Sequence, residues 1–202
     1  MHPAHALDEV RRAAGFRTVD EVAALAPSVL VLDPASTLIG TGVSIERGVL
    51  VFPGTTLETR SGGTIAIRTG ARLGPGPVTI VAEGPHVEVG RAELGPGAVT
   101  VVAAHAPVTV GDGARLSGGC VVEGPATIGA GAQVLGTVAL RSVELGAGGG
   151  RREPDPDRRG AVVKGAGRVH GIQLGQGEVV VGRTEVSAPE RQRAHHPDVT
   201  PT

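Results

Sequence analysis

His105 is the residue whose surroundings most resemble a place for chemistry. It stands in Ala103-Ala104-His105-Ala106-Pro107, between two apolar segments. Small neighbours leave room for a substrate, and Pro107 stiffens the backbone that follows. A neutral imidazole there can take a proton from an attacking hydroxyl or amine, with an unperturbed pKa of about 6.5. His86 follows Gly84-Pro85 at a similar corner one repeat earlier. Two stacked histidines could also begin a metal site, but a catalytic zinc needs three well-placed protein ligands. The closely spaced pairs His2/His5 and His195/His196 fall outside the apolar repeats, so no metal is expected. Arg151, Arg152, Arg158 and Arg159 flank Glu153, Asp155 and Asp157. Guanidinium groups can hold phosphates, although a mixed-charge segment is also an ordinary solvated loop. Lys164, Arg168 and His170 follow on the next apolar segment and either face the same cleft or form the polar side of a strand. The candidate set is therefore His105 as catalytic base, with His86, Arg151, Arg152, Lys164, Arg168 and His170 as substrate-binding groups. Cys120 falls among inward positions and reads as core rather than nucleophile.

The elements that must position these side chains follow from a repeat. Ile39, Ile45, Val51 and Leu57 are branched aliphatics at steps of six. Val110, Leu116, Val122, Ile128, Val134 and Leu140 continue the same step. Small or Gly-rich tetrads follow the anchors, such as Gly111-Asp112-Gly113-Ala114 and Gly129-Ala130-Gly131-Ala132. A short strand presents one aliphatic inward, a tight turn follows, and the next strand presents the next. Three such faces close a coil of about 18 residues, and stacked coils bury a continuous aliphatic column. The small residues Val43, Val49, Ala114, Cys120 and Ala132, four places after their anchors, fit a narrow interior. Between Val78 and Val122 the interval lengthens, and each coil carries a Pro-containing corner: Glu83-Gly84-Pro85, His105-Ala106-Pro107, Glu123-Gly124-Pro125. These extra residues read as loops bulging at one stacked corner.

The ends differ. Residues 1–30 read as a helical cap, with short helices near Asp8–Ala14 and Thr18–Leu25 and a capping box from Thr18 to Glu21. Such a cap would cover the open strand edges of the first coil. Residues 31–145 are the repeats. Residues 146–160 break the pattern with a flexible, charged, Pro-rich loop. Residues 161–187 return to it, with Leu174, Val180 and Val186 at steps of six, as a final coil or an arm packed on a neighbour. Residues 188–202 read as a disordered polar tail.

Composition removes several function classes. The chain has 202 residues, 19 Lys plus Arg against 20 Asp plus Glu, two Phe and no Tyr or Trp. A net charge near zero and so few aromatics offer neither general phosphate attraction nor a base-stacking platform, so no nucleic-acid partner is expected. One Cys excludes a disulfide framework within the chain. No apolar run approaches a membrane span, and the charged N-terminus does not read as a signal peptide, so a cytoplasmic protein without membrane partners is expected.

The repeats resemble those of the hexapeptide-repeat, left-handed β-helix transferases. Asp33-Pro34, Thr37, Ile39, Val43, Ile45, Val51, Pro53-Gly54 and Leu57-Glu58 look like the start of the acetyltransferase domain of the N-acetylglucosamine-1-phosphate uridyltransferases. The resemblance implies an all-β fold: a left-handed parallel β-helix with a helical cap and a C-terminal arm, assembled as a homotrimer. It also implies an acyltransferase that moves an acetyl or other acyl group from acetyl-CoA or another acyl-CoA to an amine or hydroxyl of a sugar or nucleotide-sugar-like acceptor. In such enzymes a His often serves as base in a cleft between subunits. The family's Asn-Tyr-Asp-Gly stretch has no counterpart here, since Gly146-Ala147-Gly148 leads into Gly149-Gly150-Arg151-Arg152, and no Gly-rich nucleotide loop precedes the repeats. The fold also hosts zinc hydratases, which need three His. The alternative to an enzyme is a non-catalytic solenoid that serves as a scaffold or as a regulatory or assembly subunit.

Overall fold

The structure is a computed structural model that describes residues 3–182 and 189–196. The chain winds into a left-handed parallel β-helix of about seven turns. Three faces recur in every coil, and each is a stack of strands in parallel register. On the first face, Val31, Val51, Leu73, Leu94, Leu116, Val134, Val163 and Val180 are successive register partners. On the second, the series is Ile39, Leu57, Ile80, Val101, Val122, Leu140 and Val169. On the third it is Ile45, Ile67, Val89, Val110, Ile128, Leu145 and Leu174. The step-of-six anchors are therefore the core, and from Val51 to Val163 on the first face every one is fully buried. Each such side chain contributes roughly 1.5–3 kcal/mol relative to exposure, so the stack is held by many small equal terms. Val186 lies outside the described residues.

Glycine marks the corner between the first and second faces. Gly136 and Gly165 have φ of +101° and +111°, and a Cβ on either would meet the carbonyl oxygen of the next coil's glycine at 2.3 and 2.4 Å. No other residue fits there, because both the dihedral and the close approach exclude a side chain. The extra residues of the middle coils bulge at the corner between the second and third faces, where Val78–Glu83 passes to His86–Val89 and Val99–Ala103 to Val108–Val110.

Helices Pro3–Ala13 and Val19–Ala23 cap the N-terminal end. The Thr18–Glu21 capping box forms, and Val22 and Val29 are buried against the first coil. Arg17 N–H donates to the Ile39 carbonyl at 2.8 Å and Thr41 N–H to that of Gly15 at 3.1 Å, so the edge is paired. The first helix begins earlier than its apolar pattern implies. At the other end, residues 162–174 form a further coil in register with Gln133–Leu145.

Two segments that read as irregular carry regular hydrogen bonding, the tail over residues 189–196. The 146–160 loop closes on itself: Gly149 N–H donates to Arg158 and Gly160 N–H to Gly149, at 2.7 and 2.9 Å, around a 3-10 turn Pro156–Arg158 capped by Asp155. Within the tail, Glu190–Arg191 pairs antiparallel with Glu178–Val179, and a 3-10 turn Gln192–His195 follows. This strap covers the last strand edge. Polar composition hid it, because its partners are backbone groups of residues 160 and 178 and the acids of the loop.

Candidate functional site

His105 is exposed at the bulged corner and borders a shallow hollow of about 210 Å³ with Ala104, Glu123 and Arg141. The register explains these neighbours. Val102, Glu123, Arg141 and His170 are successive outward rungs of the second face, spaced by about 4.8 Å per coil. His170 therefore follows Arg141 rather than lying with Lys164. Among the described residues His105 has no hydrogen-bond or ion-pair partner. His86 opens a strand of the third face, where its Nδ1 lies 2.8 Å from Thr64 Oγ1 and its Nε2 3.9 Å from Glu88. Arg168, partnered in register by Ala139, is exposed on the second face, and Arg152 is exposed on the loop.

The first face carries a larger feature. The residues just before its inward anchors point outward, giving the column Leu50, Arg72, Glu93, Arg115 and Gln133. With Arg91, Arg151 and turn glycines, Leu50, Arg72, Glu93 and Arg115 line a groove of about 400 Å³. Arg72 lies over the Phe52 ring, 4.6 Å from its centroid. Arg115 Nε is buried without a hydrogen-bond partner. Other faces treat arginine differently. Arg60 sits between Glu58 and Glu83, and Arg68 between Glu46 and Glu88, at 2.5–3.3 Å. None of Arg72, Arg91, Arg115 and Arg151 has a carboxylate partner among the described residues. Four guanidinium groups against the single Glu93 make this groove anion-seeking.

A second hollow of about 260 Å³ continues along the same face and shares Arg151. Arg159, Lys164, His195 and His196 line it above a floor of Val162 and Val179. The strap builds its rim. Arg193 binds Asp157 at 2.5 Å and also binds Asp155, while Arg191 binds Asp157 at 3.2 Å. The Arg193 hydrogen bond and charge, aided by Arg191, hold the Asp157 carboxyl below its usual range against partial burial. Buried Gln192 donates to the Gly160 carbonyl at 2.7 Å. Arg159 Nη1 lies 3.1 Å from His196 Nε2. Burial, then the charges of Arg159, Lys164 and His195, push the His196 pKa down, so its imidazole is neutral and accepts from Arg159.

Of the residues singled out from sequence, the fold thus brings Arg151 and Lys164 together and places His170 one rung beyond the Arg141 that borders the His105 hollow. His86, Arg152 and Arg168 stand apart. The reading passed over Arg72, Arg91, Arg115, Glu123 and Arg141. No local spacing marks them, because they become neighbours only through the register of successive coils.

Cys120 is fully buried, and burial pushes its thiol up to about 11, which excludes it as a nucleophile at neutral pH. No group of three or more His, Cys, Asp or Glu among the described residues could hold a metal ion. No family model matches the chain, and no curated protein matches it.

Proposed function

We propose that this solenoid is an acyltransferase that moves an acetyl or other acyl group from CoA to an amine or hydroxyl of a sugar or nucleotide-sugar-like acceptor, working as a homotrimer. The first-face groove carries the reading: four arginines without carboxylate partners suit the phosphates of a CoA donor. In the proposed homotrimer the corner between the first and second faces would lie toward the threefold axis. A threefold rotation then sets the first face of one copy against the second face of the next. The Arg91 and Arg151 rim of one copy and the His105 corner of its neighbour would border the same cleft.

In that cleft neutral His105 takes the proton of the acceptor as its nitrogen or oxygen attacks the thioester carbonyl. A turn N–H steadies the oxyanion, the C–S bond breaks, and the imidazolium returns the proton to the leaving thiolate. No helix among the described residues is long and apolar enough to cross a membrane. The cytoplasm, where acyl-CoA is available, is the compartment this reading implies. His105→Ala should lower turnover by about 10²- to 10⁴-fold with the fold intact, read as thiol release from acetyl-CoA over a panel of amino sugars and nucleotide sugars. Unchanged turnover in that variant would remove His105 from the mechanism.

The second reading, a non-catalytic scaffold, is favoured by one observation. His105 has no orienting partner, whereas Leu30 and Leu32 on the first face are 54% and 56% exposed, as an assembly surface would be.

A further inference from the structure

The hollow beneath the C-terminal strap adjoins the arginine groove, with which it shares Arg151, and its chemistry is more specific. Lys164 is the single lysine of the chain, every other Lys-or-Arg position being Arg. It is half-buried and has no hydrogen-bond or ion-pair partner among the described residues. Arg151 is likewise unpaired. Arg159 is held in place by the Glu153 carbonyl, which accepts from its Nε at 2.7 Å, and by His196. No carboxylate lines the hollow. Acids of the strap, the loop and the last strand are occupied elsewhere: Glu190 by His195 at 2.9 Å, Glu178 by the Gly175 N–H at 2.7 Å, and Asp155 and Asp157 by Arg193. The floor of Val162 and Val179 lowers the local dielectric, so uncompensated cations are costly there unless an anion joins them.

We propose that this hollow binds a phosphate monoester dianion, held by Lys164, Arg151 and Arg159 and bordered by the strap histidines. Lys164 supplies a compact point charge, and the two guanidinium groups supply planar pairs of donors for phosphate oxygens. A volume of about 260 Å³ admits a phosphate with a sugar-sized substituent. The site does not depend on acyl transfer and stands or falls separately from it.

Because the chain has one lysine, reductive methylation with carbon-13 formaldehyde places a single side-chain label at Lys164, beside that of the terminal amine. Inorganic phosphate is the probe, and glucosamine 6-phosphate the second. In wild-type protein, phosphate should slow methylation of Lys164 saturably and leave the terminal amine unaffected. Phosphorus NMR titration should show a site weakened about tenfold or more in Lys164→Gln, the cation that lines this hollow and not the arginine groove. Arg60→Gln, on another face and between two glutamates, should bind as wild type does. Tighter binding of glucosamine 6-phosphate would assign the site to a phosphorylated acceptor. Equal or tighter inorganic phosphate would assign it to the free ion. Failure of phosphate to protect Lys164 in wild type, or an equal loss in Arg60→Gln, would overturn the proposal. The protection experiment needs no variant, so a misfolded substitution cannot mask the answer.

Discussion

Cys120 shows how position in the prism decides chemistry. The same thiol on an outward rung would ionise readily. Inside, with its pKa pushed up to about 11, it is a small apolar filler. A thiol reagent at pH 8 should therefore leave native protein unmodified over the time in which it labels the denatured chain completely. Rapid native labelling would mean that the corner holding Cys120 opens. Arginine follows a similar rule. Arg60 and Arg68 are braced between glutamates and exposed, where such pairs are worth little, about 0–1 kcal/mol. Arg115, with a buried and unpartnered Nε, has donor capacity left for a ligand.

The strap is the element whose stability depends most on protonation. His196 has a folded pKa below its unfolded value. The unfolded state then binds the proton first, so the stabilisation is complete above the unfolded pKa of about 6.5 and is lost as pH falls below it. Burial opposes its charge first, and then the neighbouring Arg159, Lys164 and His195. Asp157, also lowered, keeps its contribution until pH falls below the carboxylate range. Acidification from pH 7.5 to 5 should thus raise amide exchange at Val179 and Gln192 before it touches the coils. Uniform exchange across that range would show that His196 does not hold the strap. This element was also the least legible in sequence. The anchors Ile39 to Leu57 and Val110 to Leu140 announced the coils, because a period of six is a property of consecutive residues. The strap depends on Gln192 reaching Gly160 and Arg193 reaching Asp155 and Asp157. No local period encodes such contacts. Site residues divide likewise. His105 was visible from its small neighbours and corner loop. The Arg72–Glu93–Arg115 column was not, because adjacency across coils appears only after the register is known.

At the scale of the whole molecule, the proposed homotrimer would set the first face of one prism, with its arginine groove, against the second face of the next. Light scattering should give three times the 20.2 kDa chain mass at micromolar concentration. A monomer would leave the His105 corner and the arginine groove on different faces of one prism, unable to share a cleft. The most direct test of the account is the affinity for acetyl-CoA by isothermal titration, wild type against Arg115→Gln. The account predicts saturable binding at one site per chain, weakened about tenfold by the substitution, since a charge-assisted hydrogen bond to phosphate is worth about 1.5–3 kcal/mol. No saturable binding to the wild type, or equal affinity in the variant, would contradict it.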